Sequence, residues 1–84
     1  MTTKPAYDSF LDDTCMSEYR SPSGLIHIGS WFGMAVCGVF IDTHNGWSYN
    51  GLTSLRRAGR MSRNAQANRL CKRCANTYKD VPNA

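Results

Sequence analysis

Residues 25–41 read LIHIGSWFGMAVCGVFI, an apolar stretch broken by Gly29, Gly33 and Gly38 and rich in β-branched and aromatic side chains. Glycines at that density oppose a helix, whereas the remaining residues suit a pleated, half-buried surface, so the stretch predicts two strands. Trp31-Phe32-Gly33 makes the turn between them. A three-residue hairpin loop typically ends on a residue of positive φ, which glycine adopts without a steric penalty. Closing the loop on Ser30 and Met34 fixes the register, so that 29 faces 35, 28 faces 36, and His27 faces Cys37. Farther on, Asn45-Gly46 is a strong hairpin signal that predicts a third, short strand at Trp47-Ser48-Tyr49, ended by Asn50-Gly51.

The C-terminal third changes period. In RNAQANRLCKRCANTYK, Leu70, Cys74 and Tyr78 recur at i, i+4, i+8, and Cys71 joins Cys74 at i, i+3, the spacing of one helix face. Ser62 is the expected cap. Ser54 is a weaker one, because three arginines follow within six residues and oppose the helix dipole, and Gly59 interrupts the segment. Pro82 ends the helix. If the Cys71–Cys74 pair forms a knuckle instead, the helix starts near Cys74 and residues 56–70 become a basic loop. The predicted class is α+β: a small three-stranded antiparallel meander with a C-terminal helix. Residues 1–24 are polar, carry Pro5, Pro22 and Gly24, and read as an acidic N-terminal arm. Residues 25–84 form one mini-domain.

Candidate chemistry centres on Cys71-Lys72-Arg73-Cys74. Two thiolates at this spacing can grip one metal ion, and the basic residues between them favour deprotonation. Opposed side chains in a hairpin have Cβ atoms about 4.5 to 5.5 Å apart, so His27 and Cys37 can supply the other half of the site. The expected ligand set is His27, Cys37, Cys71 and Cys74, one histidine and three cysteines around a structural Zn2+. Cys15 is an alternative to His27 as fourth ligand, and His44 reads as a solvated turn neighbour. An 84-residue chain is just above the size at which a core alone becomes marginal, so a metal staple is physically useful. Four cysteines also allow two disulfides in three pairings. The polar start MTTKPAYDSF has neither a basic n-region nor an apolar h-region, which favours a reducing, cytoplasmic setting and hence thiols or metal.

His27, then Cys37-Gly38 late in a β-hairpin, then Cys71-Lys72-Arg73-Cys74 at a terminal helix resembles the small zinc-ribbon or treble-clef-like proteins of bacteria and their phages. The resemblance covers roughly residues 25–80 and implies a metal-stabilised, non-catalytic fold that often binds nucleic acid or another protein. It departs from the family pattern in its first ligand pair, which is split across two strands instead of forming a CxxC knuckle.

The net charge of +4 conceals an asymmetry. Residues 1–18 hold Asp8, Asp12, Asp13 and Glu18 against Lys4 alone, whereas residues 56–79 hold Arg56, Arg57, Arg60, Arg63, Arg69, Lys72, Arg73 and Lys79 with no acid. Such a basic segment suits a nucleic acid or an acidic protein surface. Trp31, Phe32, Trp47 and Tyr49 add rings on which bases can stack, although a tryptophan in so small a domain more commonly fills the core. No apolar run reaches the ~18 residues of a membrane span.

Catalytic readings fit poorly. A thioredoxin-like CxxC sits between a strand and a helix of a βαβ unit, and here no strand follows. A zinc deaminase needs a glutamate two residues after its histidine, where this chain has Gly29. The sequence therefore predicts a small zinc-stabilised binding protein, a nucleic-acid-associated regulator using Arg56, Arg57, Arg60, Arg63, Arg69, Lys72 and Arg73. The alternative is a protein-interaction module or small inhibitor, phage-like in character, that binds a larger enzyme. No small-molecule substrate is expected.

Overall fold

The computed structural model describes residues 11–13, 16–30 and 33–82. Cys15 and the Trp31-Phe32 part of the expected turn lie outside the described residues. The elements are β1 (Met16–Arg20), β2 (Ile26–Ile28), β3 (Ser48–Thr53), α1 (Leu55–Arg63) and α2 (Lys72–Tyr78). The strands form one antiparallel sheet in the order β2-β1-β3, so the fold is α+β with a three-stranded antiparallel sheet and helices.

The central strand comes from the stretch read as an arm. Alternation along Met16–Arg20 places Glu18 where a sheet covered by helices ordinarily has an apolar residue, and this hid the strand in the sequence. Glu18 is only 2 % exposed. It accepts hydrogen bonds from Asn50 Nδ2 at 3.2 Å and Arg57 Nε at 3.1 Å. Asn50 is available because β3 does not stop at Asn50-Gly51. Glu18 pairs with Gly51 and Tyr19 with Tyr49, leaving Asn50 as the extra residue of a β-bulge. Gly51, at φ 125°, adopts the backbone conformation that the irregularity requires.

The register expected for the apolar stretch holds near the turn and then breaks. Gly29 bridges Ala35, the Ser30 N–H donates to the Met34 carbonyl at 2.7 Å, and the Val36 N–H donates to the Ile28 carbonyl at 2.9 Å. Beyond Val36 the chain curls back on itself instead of continuing as a strand. The Gly38 N–H reaches the Ala35 carbonyl, the Ala35 N–H reaches the Val39 carbonyl (both 2.8 Å), and Met34 bridges Phe40. Gly38, at φ 94°, makes this tight reversal and leaves Cys37 at its tip.

The expected single helix is two helices. Ser54 caps α1, its Oγ accepting from the Arg57 N–H at 3.1 Å, while Ser62 is buried inside the same helix. Arginines in the first turn are tolerated because acids meet them: Arg56 Nε lies 2.7 Å from Asp12 Oδ1, and Arg57 pairs with Glu18. Gly59 marks the crossing of α1 and α2. A Cβ there would lie 2.8 Å from the Val81 Cβ and 3.3 Å from the Tyr78 carbonyl oxygen. After α1 the chain turns through residues 64–69, and Leu70 pairs in parallel with Ile26 at the free edge of β2. The Ile26 N–H donates to the Arg69 carbonyl and the Cys71 N–H to the Ile26 carbonyl, both at 2.8 Å.

Two clusters make the core. Ile26, Ile28, Ala58, Leu70, Ala75 and Tyr78 form one between sheet and helices; Ala35, Ile41 and Cys74 form the other, with Tyr19, Val36, Cys37, Trp47 and Cys71 packed against it. No helix among the described residues is long and apolar enough to cross a membrane.

Gly59 gives the fold a direct test. In an open helix, glycine to alanine gains up to about 1 kcal/mol of helix propensity. Here the added methyl collides with Val81, so Gly59→Ala should destabilise by about 1–3 kcal/mol, the usual penalty for overpacking. Denaturant unfolding measures this, and a stabilised variant would show that the two helices do not cross here.

Candidate metal centre

Three separate pieces of chain deliver four soft donors to one point. His27 comes from the middle of β2, Cys37 from the tip of the Gly38 reversal, Cys71 from the residue that precedes α2, and Cys74 from the first turn of that helix. Their ligand atoms all lie within 4.8 Å of one another. His27 Nδ1 is 3.6 Å from Cys37 Sγ and 3.9 Å from Cys74 Sγ. A tetrahedral zinc site with legs of about 2.3 Å to sulfur and 2.0–2.1 Å to nitrogen places sulfur and nitrogen roughly 3.6 Å apart, so these spacings fit. Cys37, Cys71 and Cys74 are free thiols, with no disulfide among the described residues.

Local structure aims each donor. In β2, alternation sends Ile26 and Ile28 into the larger core cluster and turns His27 to the other face. Trp47 lies against the imidazole, ring centroids 4.9 Å apart at 57°. The indole shields one side of the ring from water and limits its rotation, a supporting role that no sequence signal pointed to. Cys71 and Cys74 point to the same place because they are held at the beginning of α2, and the backbone there is tied to β2 through the hydrogen bonds at Ile26. Thus the opposition inferred for His27 and Cys37 survives as proximity, although Cys37 sits in a reversal and not in a strand.

Electrostatics fits a metal ligand set. Burial lowers the His27 pKa from its usual 6.5, which keeps the ring neutral with a lone pair to donate. Burial pushes the Cys74 thiol up to about 12, despite the Ile28 backbone N–H beside it. For Cys71 burial also opposes ionisation, but the backbone N–H groups of Cys74 and Arg73, with the Cys37 and Cys74 side chains, outweigh it and lower the pKa from its usual 9.0. A divalent cation held here would replace the Cys74 proton and supply the charge that burial otherwise withholds. With all four donors contributed by the protein, a tetrahedral ion has no open position for water or substrate.

Three of the seven basic residues singled out by sequence have partners within the fold. Arg56 and Arg57 are engaged with Asp12 and Glu18. Arg63 crosses to the end of α2, where its Nη1 donates to the Val81 carbonyl at 2.6 Å and the Lys79 carbonyl at 3.4 Å. Arg60, Arg69, Lys72 and Arg73 are exposed. The acids that meet Arg56 and Arg57 lie some forty residues upstream in sequence, outside the window in which the charge was counted. The chain matches no family model, no curated protein and no solved structure.

Two outcomes test the site. Cys37→Ser, Cys71→Ser, Cys74→Ser and His27→Ala should each lower metal affinity by several orders of magnitude, whereas Cys15→Ser should leave it within a factor of about three. Metal content of the purified variants checks this; loss of metal in Cys15→Ser with retention in His27→Ala would move the fourth ligand to Cys15. The second outcome concerns pH. Because Cys74 keeps its proton to about 12 in the absence of an ion, binding must displace that proton across the neutral range. Apparent affinity should therefore rise by about tenfold or more per pH unit between 6.5 and 8.5. His27, already neutral there, adds no proton. A competition titration with a chromogenic chelator measures the slope, and a flat profile would exclude thiolate coordination by Cys74.

Proposed function

We propose that this chain is a zinc-stabilised binding module that acts on nucleic acid, with the ion holding the fold together and taking no part in chemistry. The observation that carries the reading is the closed set of His27, Cys37, Cys71 and Cys74 between two small core clusters. Three thiols and one imidazole gathered at one point favour zinc over harder cations, and four protein donors describe a structural site. The terminal helix that delivers Cys71 and Cys74 is the feature in common with treble-clef-like proteins. Free thiols at this density suit a reducing compartment such as the cytoplasm.

Nucleic acid is favoured as partner by the positive charge left after internal pairing. Arg20, Arg60, Arg69, Lys72 and Arg73 are exposed and form no ion pair among the described residues. A second reading, a protein-interaction module, is favoured by one observation: Met34, Val39 and Phe40 are 41 %, 39 % and 61 % exposed and gather on the reversal that carries Cys37. A cluster of exposed apolar side chains on a small domain commonly marks a contact surface.

Zinc should be present at one ion per chain, and its removal by a strong chelator under reducing conditions should unfold the protein, since structural zinc contributes on the order of 10 kcal/mol in small zinc peptides. Circular dichroism and metal analysis test the first half; a fold that persists without metal overturns it. For the partner, single-stranded oligonucleotide binding should weaken with salt by roughly 0.7 log units per phosphate contact per log unit of salt, and Arg60→Ala should flatten that slope by about one contact. An absence of binding at low salt would favour the protein partner.

A further inference from the structure

A cleft of about 560 Å³ opens on the side of the sheet where β1, β3 and α1 meet the turn before Leu70, and its lining includes Glu18, Arg20, Gly24, Asn50, Arg57 and Arg69. The volume falls in the range of small-ligand sites. None of these residues is a ligand of the metal centre. Three guanidinium groups against one carboxylate leave the cleft with an excess of two positive charges, which selects an anion.

The arrangement is built rather than incidental. Glu18, buried beneath the cleft, receives Arg57 through Nε alone, at 3.1 Å, and this leaves both terminal nitrogens of Arg57 outside the pair. The carboxylate thereby fixes the direction of a guanidinium whose donating edge remains available. Asn50 holds the other carboxylate oxygen, so Glu18 has a partner on each side and does not compete for the ligand. Arg20 and Arg69 have no ion-pair partner among the described residues. Arg69 is, in addition, the only non-glycine residue with positive φ among the described residues, at 52°, and its carbonyl is tied to the Ile26 N–H at 2.8 Å. A left-handed conformation at arginine is strained, and strain of this kind persists where surrounding structure holds the residue in place. Gly24 faces it: a Cβ there would come within 3.2 Å of Arg69 Nη2, so the glycine leaves room for the guanidinium over the cleft.

We propose that this cleft is a phosphate-binding site that takes a phosphate monoester, carried by a mononucleotide or exposed at the end of a nucleic-acid strand. Three forked donor groups match the several oxygens and double charge of a terminal phosphate, whereas a carboxylate would leave one arginine idle. A phosphodiester inside a strand carries one charge and fewer free oxygens, so it gains less from the same site. The proposal deepens the nucleic-acid reading by naming the group bound, and the two fail separately.

The zinc-loaded protein is titrated with a fluorescent single-stranded oligonucleotide carrying either a 5′-phosphate or a 5′-hydroxyl, in otherwise identical sequence, with adenosine monophosphate as competitor. The phosphorylated strand should bind roughly tenfold tighter, the gain expected of added charge-assisted hydrogen bonds. Arg20→Ala and Arg69→Gly should each remove the preference. Arg69→Gly relieves the positive-φ strain, so it should fold and retain its metal, and loss of preference there cannot be ascribed to unfolding. Arg60→Ala, outside the cleft, should weaken both strands together and keep their ratio. Competition by adenosine monophosphate supports the site and assigns it to mononucleotides as well; a persistent strand preference without such competition supports it at strand ends. Equal affinity for the two strands together with no binding of adenosine monophosphate overturns the phosphate site, even if nucleic acid binds. Direct binding of adenosine monophosphate, measured by calorimetry on the same protein, with no affinity for either strand supports the site and overturns the nucleic-acid reading instead.

Discussion

The fold depends on what is fastened to the three residues of β2. One edge of Ile26–Ile28 pairs with β1, and Ile26 on the other edge pairs with Leu70, while the Ile28 carbonyl takes the Val36 N–H. A strand this short has little stability of its own. Its position is set because its two isoleucines anchor the larger core cluster and its histidine meets three cysteines. The polypeptide around the metal centre is otherwise a set of turns, and the convergence of four donors on one point ties those turns to the sheet. Burial of apolar area alone gives a chain of this size a thin margin, so an ion held between two small core clusters would change the balance more than any one packed side chain.

Glu18, at the middle of β1, organises its surroundings in a comparable way with different chemistry. A carboxylate buried in a sheet is costly unless its oxygens are satisfied, and the bulge at Asn50 and the placement of Arg57 on α1 satisfy both. One consequence is that β3 and α1 are registered to β1 by polar contacts as well as by packing. Another is that Arg57 belongs to the architecture, so substituting it strips a partner from a buried acid. Its Nε does this internal work, and the same side chain lines the cleft.

Much of the candidate site was legible in the sequence, for an elementary reason: thiols and imidazole are few, and a CxxC constrains two donors locally. The turn glycine and alternation then brought His27 to Cys37, and the register was right as far as Val36. What was not legible depended on long-range compensation. Met16–Arg20 looked polar because its buried acid is answered by residues 32 and 39 positions away. Ser54 reads as the weaker cap because arginines are unfavourable at a helix start, yet Asp12 and Glu18 meet Arg56 and Arg57. Gly59 read as a helix breaker, whereas it is the contact point that lets α2 approach. Asn50-Gly51 read as a strand end, and became a bulge because β1 continues alongside it. In each case the local rule was sound and a distant partner outweighed it.

The order of the ligands along the chain has its own implication for how sequence length can vary. Cys71 precedes α2 and Cys74 lies in its first turn, so a single inserted residue between them would rotate Cys74 by roughly 100° about the helix axis and remove it from the site. Cys37 and Cys71 are separated by a long excursion through β3 and α1, and the entropy of closing a loop grows only slowly with its length. The exposed turn at residues 64–69 is part of that excursion. Related chains would therefore tolerate insertions there while keeping the spacing of the last two cysteines unchanged, a pattern in which variation in length, rather than in residue type, marks where the four donors fix the backbone.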